Sequence, residues 1–167
     1  MSAGVLVTLE EYLNTAYSPD REYVDGVIVE RNVGEGPHSR IQVDLVLALG
    51  RRYSDVFIWT EWRMHSATGR YRIPDLCVTL QNPGTLVLEE CPFLIVEILS
   101  RRDAMSEVLE KLEEYASFGV PNIWLIDPWR RKALTFAAHR LEEVSGDAIS
   151  TGPPVIEVTL AEIFRGL

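Results

Sequence analysis

Three residues of this chain have the types needed to hold a divalent cation beside a phosphate group. Asp75 follows a proline at the start of an apolar run, Glu97 interrupts the apolar segment FLIVEIL, and Lys111 lies in the segment that follows. Carboxylates supply the oxygen ligands that Mg²⁺ prefers, and an amine beside them can stabilise negative charge on a phosphoryl group. This combination suggests metal-dependent hydrolysis of a phosphodiester bond.

The two carboxylates each have an alternative interpretation. Residues 93–99 are mostly β-branched or aromatic, which predicts a strand covered on both faces. Because side chains alternate along a strand, Glu97 should lie on the same face as Phe93 and Leu99, the first and last residues of this segment. A carboxylate there is costly unless a metal or a counter-charge meets it. The alternatives are a strand-end glutamate turned to water and, for Asp75, ordinary Pro-Asp turn chemistry.

Residues 103–118 predict the amphipathic helix that carries Lys111. The spacing of Ser100 and Asp103 is that of a capping box that would start it, and Gly119 would end it. Its apolar stripe consists of Met105, Val108, Leu109, Leu112, Tyr115 and Ala116. Lys111 lies at the margin of that stripe, where a lysine can send its ammonium group to the strand ends. The alternative is an ion pair with the glutamate four residues earlier.

The remaining segments predict a mixed central β-sheet flanked by helices, of the α/β (α+β) class. Asp25-Gly26, within residues 22–32, is a strong hairpin signal. His38 and Ser39 stand at the start of a helix to about residue 53, and short helices start at Thr8 and Thr159. The other predicted elements are a strand at 56–62, a turn at 65–69 leading to the strand that carries Asp75, a strand at 122–126 and a hairpin over 132–141.

The composition is that of one globular domain. The chain has 167 residues, of which 47% are hydrophobic, enough for one core and too few for two ordinary domains. Its longest apolar runs are strand-length and no basic region precedes an apolar stretch at the N-terminus, so we expect neither a membrane span nor a secretory signal. Cys77 and Cys91 lack C-x-x-C spacing, which favours buried thiols in a reducing cytoplasm over a disulfide.

The net charge of −9 counts against a nucleic-acid ligand, because affinity for phosphates usually depends on a basic face. The arginines are clustered, however, at positions 51–52, 63, 70, 72, 101–102 and 130–131. They form either a local basic rim on an acidic body or scattered solubilising residues.

An ordered set of motifs resembles the Uma2 family. It consists of REYVDG at 21–26, GPHS at 36–39, PD at 74–75, VEILS at 96–100, the segment 111–115, GV at 119–120 and WLIDP at 124–128. The resemblance spans nearly the whole chain. It implies a single domain, residues 1–167, with the restriction-endonuclease-like, PD-(D/E)XK fold, and an endonuclease activity.

The resemblance also implies a set of site residues. Asp75 and Glu97, with the carbonyl group of Ile98, would bind Mg²⁺, for which Mn²⁺ can substitute. Glu22 occupies the place of a glutamate that many PD-(D/E)XK enzymes add to the metal site. Its alternative is a rim carboxylate or a partner for Arg21.

The catalytic lysine departs from the pattern in the family name. That pattern implies a lysine two residues after Glu97, where this chain has Leu99. In Uma2-type members the lysine comes from the following helix, and Lys111 matches that place. The catalytic set that the resemblance implies is therefore Asp75, Glu97, Lys111 and Glu22.

We therefore expect a Mg²⁺-dependent endonuclease that hydrolyses phosphodiester bonds of nucleic acid, with DNA as its substrate. His38 and Ser39 are candidates to contact a phosphate, because helix N-termini attract anions; an ordinary helix start is the alternative. The rival function is a nuclease-fold domain with weak or no catalysis that serves as a binding or assembly module, which the low pI favours. Analogy favours a homodimer, since cutting two strands needs two sites, and we expect a cytoplasmic protein without membrane association.

Overall fold

The most apolar segments of the sequence form the middle of a six-stranded sheet. The computed structural model describes residues 6–32 and 34–167. In chain order its elements are α1 (Leu9–Asn14), β1 (Arg21–Val24), β2 (Val27–Glu30), α2 (Gly36–Arg52), β3 (Phe57–Thr60), β4 (Met64–Ala67), β5 (Arg70–Arg72), β6 (Leu76–Thr79), β7 (Leu94–Ile98), α3 (Met105–Phe118), β8 (Asn122–Asp127), β9 (Lys132–Ala137), β10 (Arg140–Glu143), β11 (Ala148–Ser150), β12 (Glu157–Thr159) and α4 (Leu160–Ile163).

The six-stranded sheet has the order β10-β9-β8-β7-β6-β3. Strands β7 and β8 run parallel and are joined by α3, while the other neighbouring strands are antiparallel. Every residue of β6 and β7 is buried, which is the pattern of strands covered on both faces. The predicted mixed sheet is confirmed.

Helices cover both faces of this sheet, because alternate side chains of each strand point in opposite directions. On one face α2 and α4 pack through Ile41, Leu45, Leu49 and Ile163 onto Leu94, Val96 and Ile98. On the other face α3 packs through Leu112 and Tyr115 onto Ile95, Leu99, Ile123 and Leu125. Glu97 points to the α3 side, where its carboxylate meets the hydroxyl group of Tyr115. Phe93, predicted on that face, packs into the α2 side because it precedes the strand.

A second, four-stranded antiparallel sheet has the order β2-β1-β5-β4. The predicted hairpin is its β1-β2 pair, whose turn puts both Asp25 and Gly26 at positive φ, as the tight hairpin turn with this dipeptide requires. Helix α1 packs on this sheet through the ring of Tyr12, which stacks on Tyr23. The sheet carries Glu22, the site residue most distant in sequence from the others.

Two predicted local structures are wrong. The turn expected at 65–69 is largely the strand β4, in which Met64 and Ser66 are buried and only Thr68 and Gly69 turn. The helix expected to start at a capping box has Ala104 as its N-cap without a side-chain cap bond. The carboxylate of Asp103 instead accepts a hydrogen bond from the backbone of Ser100 and closes a turn before the helix.

Three side chains are more exposed than their sequence pattern predicts. Met105 and Leu109 of the expected apolar stripe lie at the surface, because the helix makes its buried contacts through its later turns. Cys77 is buried, but Cys91 is exposed because it lies in the loop before β7; both are free thiols. The pair β11-β12 has no counterpart in the sequence-based prediction. In residues 6–32 and 34–167, no helix combines the length and the apolar character needed to span a membrane.

Candidate functional site

The pairing of β6 and β7 brings the two predicted metal-binding carboxylates together. Leu76 pairs with Val96 in this antiparallel ladder, so the same register continued by one residue brings Asp75 beside Glu97. The carboxylate Oδ2 of Asp75 accepts a hydrogen bond of 2.8 Å from the backbone N–H of Ile98. Both carboxylates are buried and line one cleft.

This cleft has a volume of about 310 Å³ and lies between the two sheets and the start of α3. Six of the seven predicted site residues line it: Glu22, His38, Asp75, Glu97, Ile98 and Lys111. Ser39 does not, because it lies exposed on the outer side of the first turn of α2. We refer to this space as the cleft.

The ammonium group of Lys111 reaches the strand ends. It lies 2.8 Å from Oε1 of Glu22 and 3.0 Å from Oε1 of Glu97. Burial alone would lower the pKa of this lysine, but the two glutamates raise it above its ordinary value. The lysine therefore stays charged and links the second sheet to the first.

Asp75 is held by an arginine and a histidine that approach from other elements. Its Oδ1 lies 2.9 Å from Nη2 of Arg31, which follows β2, and its Oδ2 lies 3.2 Å from Nε2 of His38 in α2. Burial alone would raise the pKa of Asp75, but His38 with the nearby lysine and arginine lowers it overall. Burial opposes protonation of His38, and its contact with Asp75 nevertheless raises the pKa of the imidazole. The carboxyl group of Asp75 is thus held in its ionised form.

Glu97 is in a different electrostatic state. Burial, with added repulsion from Asp75, raises its pKa to about 7, although Lys111 and the hydroxyl group of Tyr115 act in the opposite direction. That hydroxyl donates a hydrogen bond of 2.7 Å to Oε1, the oxygen that Lys111 also contacts. Among the described residues, no hydrogen bond or ion pair involves Oε2 of Glu97. One oxygen of this carboxylate thus remains for a ligand in the cleft.

The donor set fits a hard divalent cation. Two carboxylates and the backbone carbonyl group of Ile98 are the oxygen ligands that Mg²⁺ and Mn²⁺ take. Residues 6–32 and 34–167 contain no group of three or more His, Cys, Asp or Glu side chains placed to hold a metal ion, so the set here is two carboxylates with a backbone carbonyl group. An ion at Asp75 would have to displace the cations that now neutralise it.

Behind the cleft, three charged side chains and one serine form a second polar cluster. We call it the buried ion network: Ser66, Arg70, Arg72 and Glu114. Both oxygens of Glu114 accept hydrogen bonds from Arg72, at 3.1 and 2.8 Å, and the network adds Ser66 and Arg70. Arg72 also donates to Oε2 of Glu22 at 3.1 Å, which joins the network to the cleft. Burial alone would raise the pKa of Glu114, but the hydrogen bonds from its partners lower it overall.

Sequence analysis did not find several of these residues. Arg72, expected either in a basic rim or as a solubilising surface residue, is buried between two glutamates. Its two-residue spacing from Arg70 on one strand, and the three-residue spacing of Glu114 from Lys111 on one helix, are the signals that indicate a shared face. The position of Tyr115 one turn after Lys111 indicates that its hydroxyl group can reach Glu97 as well. No sequence signal indicates Arg31, which follows β2.

Solved structures with a similar fold were found for this chain. The chain is similar to a crystal structure described as a putative nuclease belonging to DUF820 from Anabaena variabilis, with a TM-score of 0.79 and 19% identity over 95% of this chain and 98% of that chain. A cryo-EM structure of the DrdV–DNA complex aligns with 78% of this chain and 11% of that chain at a TM-score of 0.43 and 17% identity, a similarity too weak to define a fold. No curated protein matches the chain.

The family follows from the sequence. Residues 9–162 match the model of the Uma2 family, which is described as "Putative restriction endonuclease". The chain belongs to the Uma2 family. The predicted restriction-endonuclease-like core, a mixed sheet flanked by helices, is confirmed.

Proposed function

We propose that this Uma2 protein is a metal-dependent endonuclease that hydrolyses phosphodiester bonds of DNA. The observation that supports this most is the convergence of Asp75, Glu97 and Lys111 on one open cleft. These side chains come from the residue before β6, from β7 and from α3, and all three line the same cleft. Such a grouping of perturbed titratable residues in a cleft is typical of catalytic sites.

Asp75, Glu97 and the carbonyl group of Ile98 would hold Mg²⁺, or Mn²⁺ as a substitute. When bound, the ion supplies Lewis acidity toward water and a phosphoryl oxygen. The backbone N–H of Ile98 orients the carboxylate of Asp75. Tyr115 holds one oxygen of Glu97 and leaves the other toward the cleft.

Lys111 supplies the positive charge for the reacting phosphate. Its ammonium group is held by Glu22 and Glu97, so it needs little reorganisation to stabilise negative charge that develops on phosphoryl oxygens. Glu22 is fixed in turn by the backbone N–H of Ile73 at 3.0 Å. His38, at the start of α2, adds an imidazole N–H that can donate to a substrate phosphate.

The second candidate function is a nuclease-fold domain that binds or assembles without cleaving. It is favoured by the ion pairs of Asp75 with Arg31 and His38, which neutralise the carboxylate without a metal, and by the net charge of −9. The two functions differ in whether a divalent cation displaces these pairs.

Plasmid cleavage with Mg²⁺ or Mn²⁺ tests the proposal. We expect the wild type to nick or cut the plasmid, and Glu97→Gln and Lys111→Met each to remove activity. Lys111→Met should retain Mn²⁺ binding, whereas Glu97→Gln should lose it. The matched control is Asp44→Asn, because Asp44 is a buried carboxylate paired with Arg40 at the opposite side of α2. Metal-independent cleavage, or cleavage that Glu97→Gln retains, contradicts the proposal; an inactive wild type that still binds DNA supports the second candidate.

A homodimer would provide the two sites that cutting both strands of a duplex needs. Light scattering on the purified chain tests this part of the proposal, and a monomer at the concentrations that cut a plasmid contradicts it. The cytoplasmic location stays a prediction.

A further inference from the structure

Two loops leave the same edge of the central sheet beside the cleft. Because β7 and β8 are parallel, the segments that follow them both start at the carboxyl edge. The first, residues 99–104, contributes Leu99, Ser100, Asp103 and Ala104 to the lining of the cleft, and Arg101 and Arg102 lie between them in the chain. The second, residues 128–131, lies next to it, since the guanidinium carbon of Arg101 sits 4.3 Å from the ring centroid of Trp129.

The contact between Arg101 and Trp129 is at the surface, not in the core. Both residues are exposed, and Arg102, Arg130 and Arg131 beside them are exposed as well. An arginine over a tryptophan ring is attracted by the negative face of the ring, so Arg101 keeps a defined position that a free surface arginine lacks. We call Arg101, Arg102, Trp129 and Arg131 the rim cluster.

The acidic side chains of these loops do not neutralise the rim cluster. Asp127 is buried, and its oxygens accept hydrogen bonds from the backbone of Trp129 and from Arg130. The carboxylate of Asp103 accepts hydrogen bonds from the backbone N–H of Ser100 and from the side-chain amide of Asn32. Within residues 6–32 and 34–167, neither Arg101, Arg102 nor Arg131 forms an ion pair with a carboxylate. Three arginines without a carboxylate partner among the described residues therefore stand beside the cleft, whose exposed lining also includes Glu30, Glu107 and Glu110.

We propose that the rim cluster binds the phosphate backbone of the DNA strand that enters the cleft. Arg101, Arg102 and Arg131 neutralise phosphates, and Trp129 is a positioning residue that holds Arg101. This inference rests on the proposed function and adds the surface that receives the substrate. Guanidinium groups match phosphate geometry, and the neutralisation of phosphates supplies most of the sequence-independent affinity for DNA. An acidic overall charge is compatible with binding when the basic groups are concentrated at the site.

Fluorescence anisotropy with a labelled DNA duplex in EDTA tests the inference without any cleavage. We expect Arg101→Ala and Arg131→Ala each to weaken binding several-fold, and the slope of log affinity against log salt to fall by about 1 for each. The triple variant Arg101→Ala/Arg102→Ala/Arg131→Ala should lose roughly tenfold or more. Trp129→Leu should weaken binding with a smaller change in slope, because the charge of Arg101 remains. Arg140→Ala is the matched control, an exposed arginine of the edge strand β10.

The outcomes separate this inference from the proposed function. If the variants of the rim cluster lose DNA affinity but the wild type does not cleave, the inferred DNA-binding surface is supported and the hydrolase proposal fails. If the rim variants bind the duplex like Arg140→Ala while the wild type cleaves, the inference is overturned and the hydrolase proposal stands. A wild type that binds an acidic peptide and not the duplex also overturns it. Circular dichroism and Mn²⁺ binding should be unchanged in every rim variant, since these side chains lie outside the core.

Discussion

Two buried glutamates of this protein have the same exposure and opposite electrostatic states. Glu97 in the cleft and Glu114 in the buried ion network are each 8% exposed. The pKa of Glu97 is raised to about 7, chiefly by burial, whereas the pKa of Glu114 is lowered because its hydrogen-bonding partners outweigh burial.

The difference lies in how the oxygens are used. Both oxygens of Glu114 accept hydrogen bonds from arginines, in the paired geometry that makes such contacts strong. In Glu97 the contacts of Lys111 and Tyr115 converge on Oε1. A saturated carboxylate serves the fold, while a carboxylate with an oxygen left toward a cleft is suited to a ligand. Burial alone therefore does not identify a functional acid.

The largest expected effect comes from removing the saturated carboxylate. Glu114→Ala leaves the buried guanidinium of Arg72 with Glu22 as its partner, and breaking a buried ion pair in this way costs about 3–5 kcal/mol of unfolding free energy. Urea denaturation measures it. The control is Glu113→Ala, one residue earlier on the same helix, whose side chain is 42% exposed and forms an ion pair with His139; it should cost less than about 1 kcal/mol. Equal losses for the two variants would contradict a structural role for the network.

For Glu97→Gln we expect a change of the opposite sign. Because the pKa of Glu97 is higher in the folded than in the unfolded state, folding takes up a proton. The contribution of this group to the unfolding free energy therefore falls as pH rises from about 4.5 through about 7. Glutamine mimics the protonated form. The variant should therefore match the wild type near pH 5 and exceed its unfolding free energy by roughly 1–2 kcal/mol at pH 8. Urea denaturation of both proteins at pH 5 and pH 8 tests this. If the unfolding free energy of the variant minus that of the wild type is smaller at pH 8 than at pH 5, the prediction is contradicted.

Affinity for Mn²⁺ should depend on pH through the same carboxylate. A proton on Glu97 competes with the ion, so affinity should rise about tenfold per pH unit below pH 7 and level off above it. Isothermal titration calorimetry from pH 5.5 to pH 8.5 measures the profile. Asp44→Asn should show the wild-type profile, and a flat wild-type profile would show that Glu97 does not ligate the ion.

The smallest effect is expected for Tyr115→Phe, which removes one donor from Glu97. Since that hydrogen bond lowers the pKa of Glu97, its loss should move the midpoint of the Mn²⁺ affinity profile to higher pH by several tenths of a unit. The cost in unfolding free energy should be about 1 kcal/mol. A stability loss without any shift of the midpoint would mean that the tyrosine supports packing only.

The sequence predicts those parts of the molecule that local patterns determine. Asp25-Gly26 indicates a hairpin by its turn chemistry, FLIVEIL a covered strand, and Gly119 a helix end, where the structure has φ of 106°. The family resemblance supplies Lys111 in place of Leu99. Six of the seven site residues predicted from these signals line one cleft in the structure.

What the sequence does not predict depends on contacts between distant segments. Arg31 meets Asp75 across 44 residues, and Arg72 is buried only because Glu22 and Glu114 converge on it from two other elements. The strand β4 contains Ser66, a typical turn residue, yet the pairing of His65 and Ala67 with β5 holds the strand in the sheet, and Ser66 lies at an irregularity of the register between them. In each case tertiary packing overrides the local preference.

The most direct test is a crystal of the protein grown with Mn²⁺ at pH 8, with anomalous diffraction to locate the ion. We expect one strong peak about 2 Å from carboxylate oxygens of both Asp75 and Glu97, with Arg31 and His38 withdrawn from Asp75. Density that shows these ion pairs intact and no peak between the two carboxylates, at a concentration that saturates binding, would contradict it.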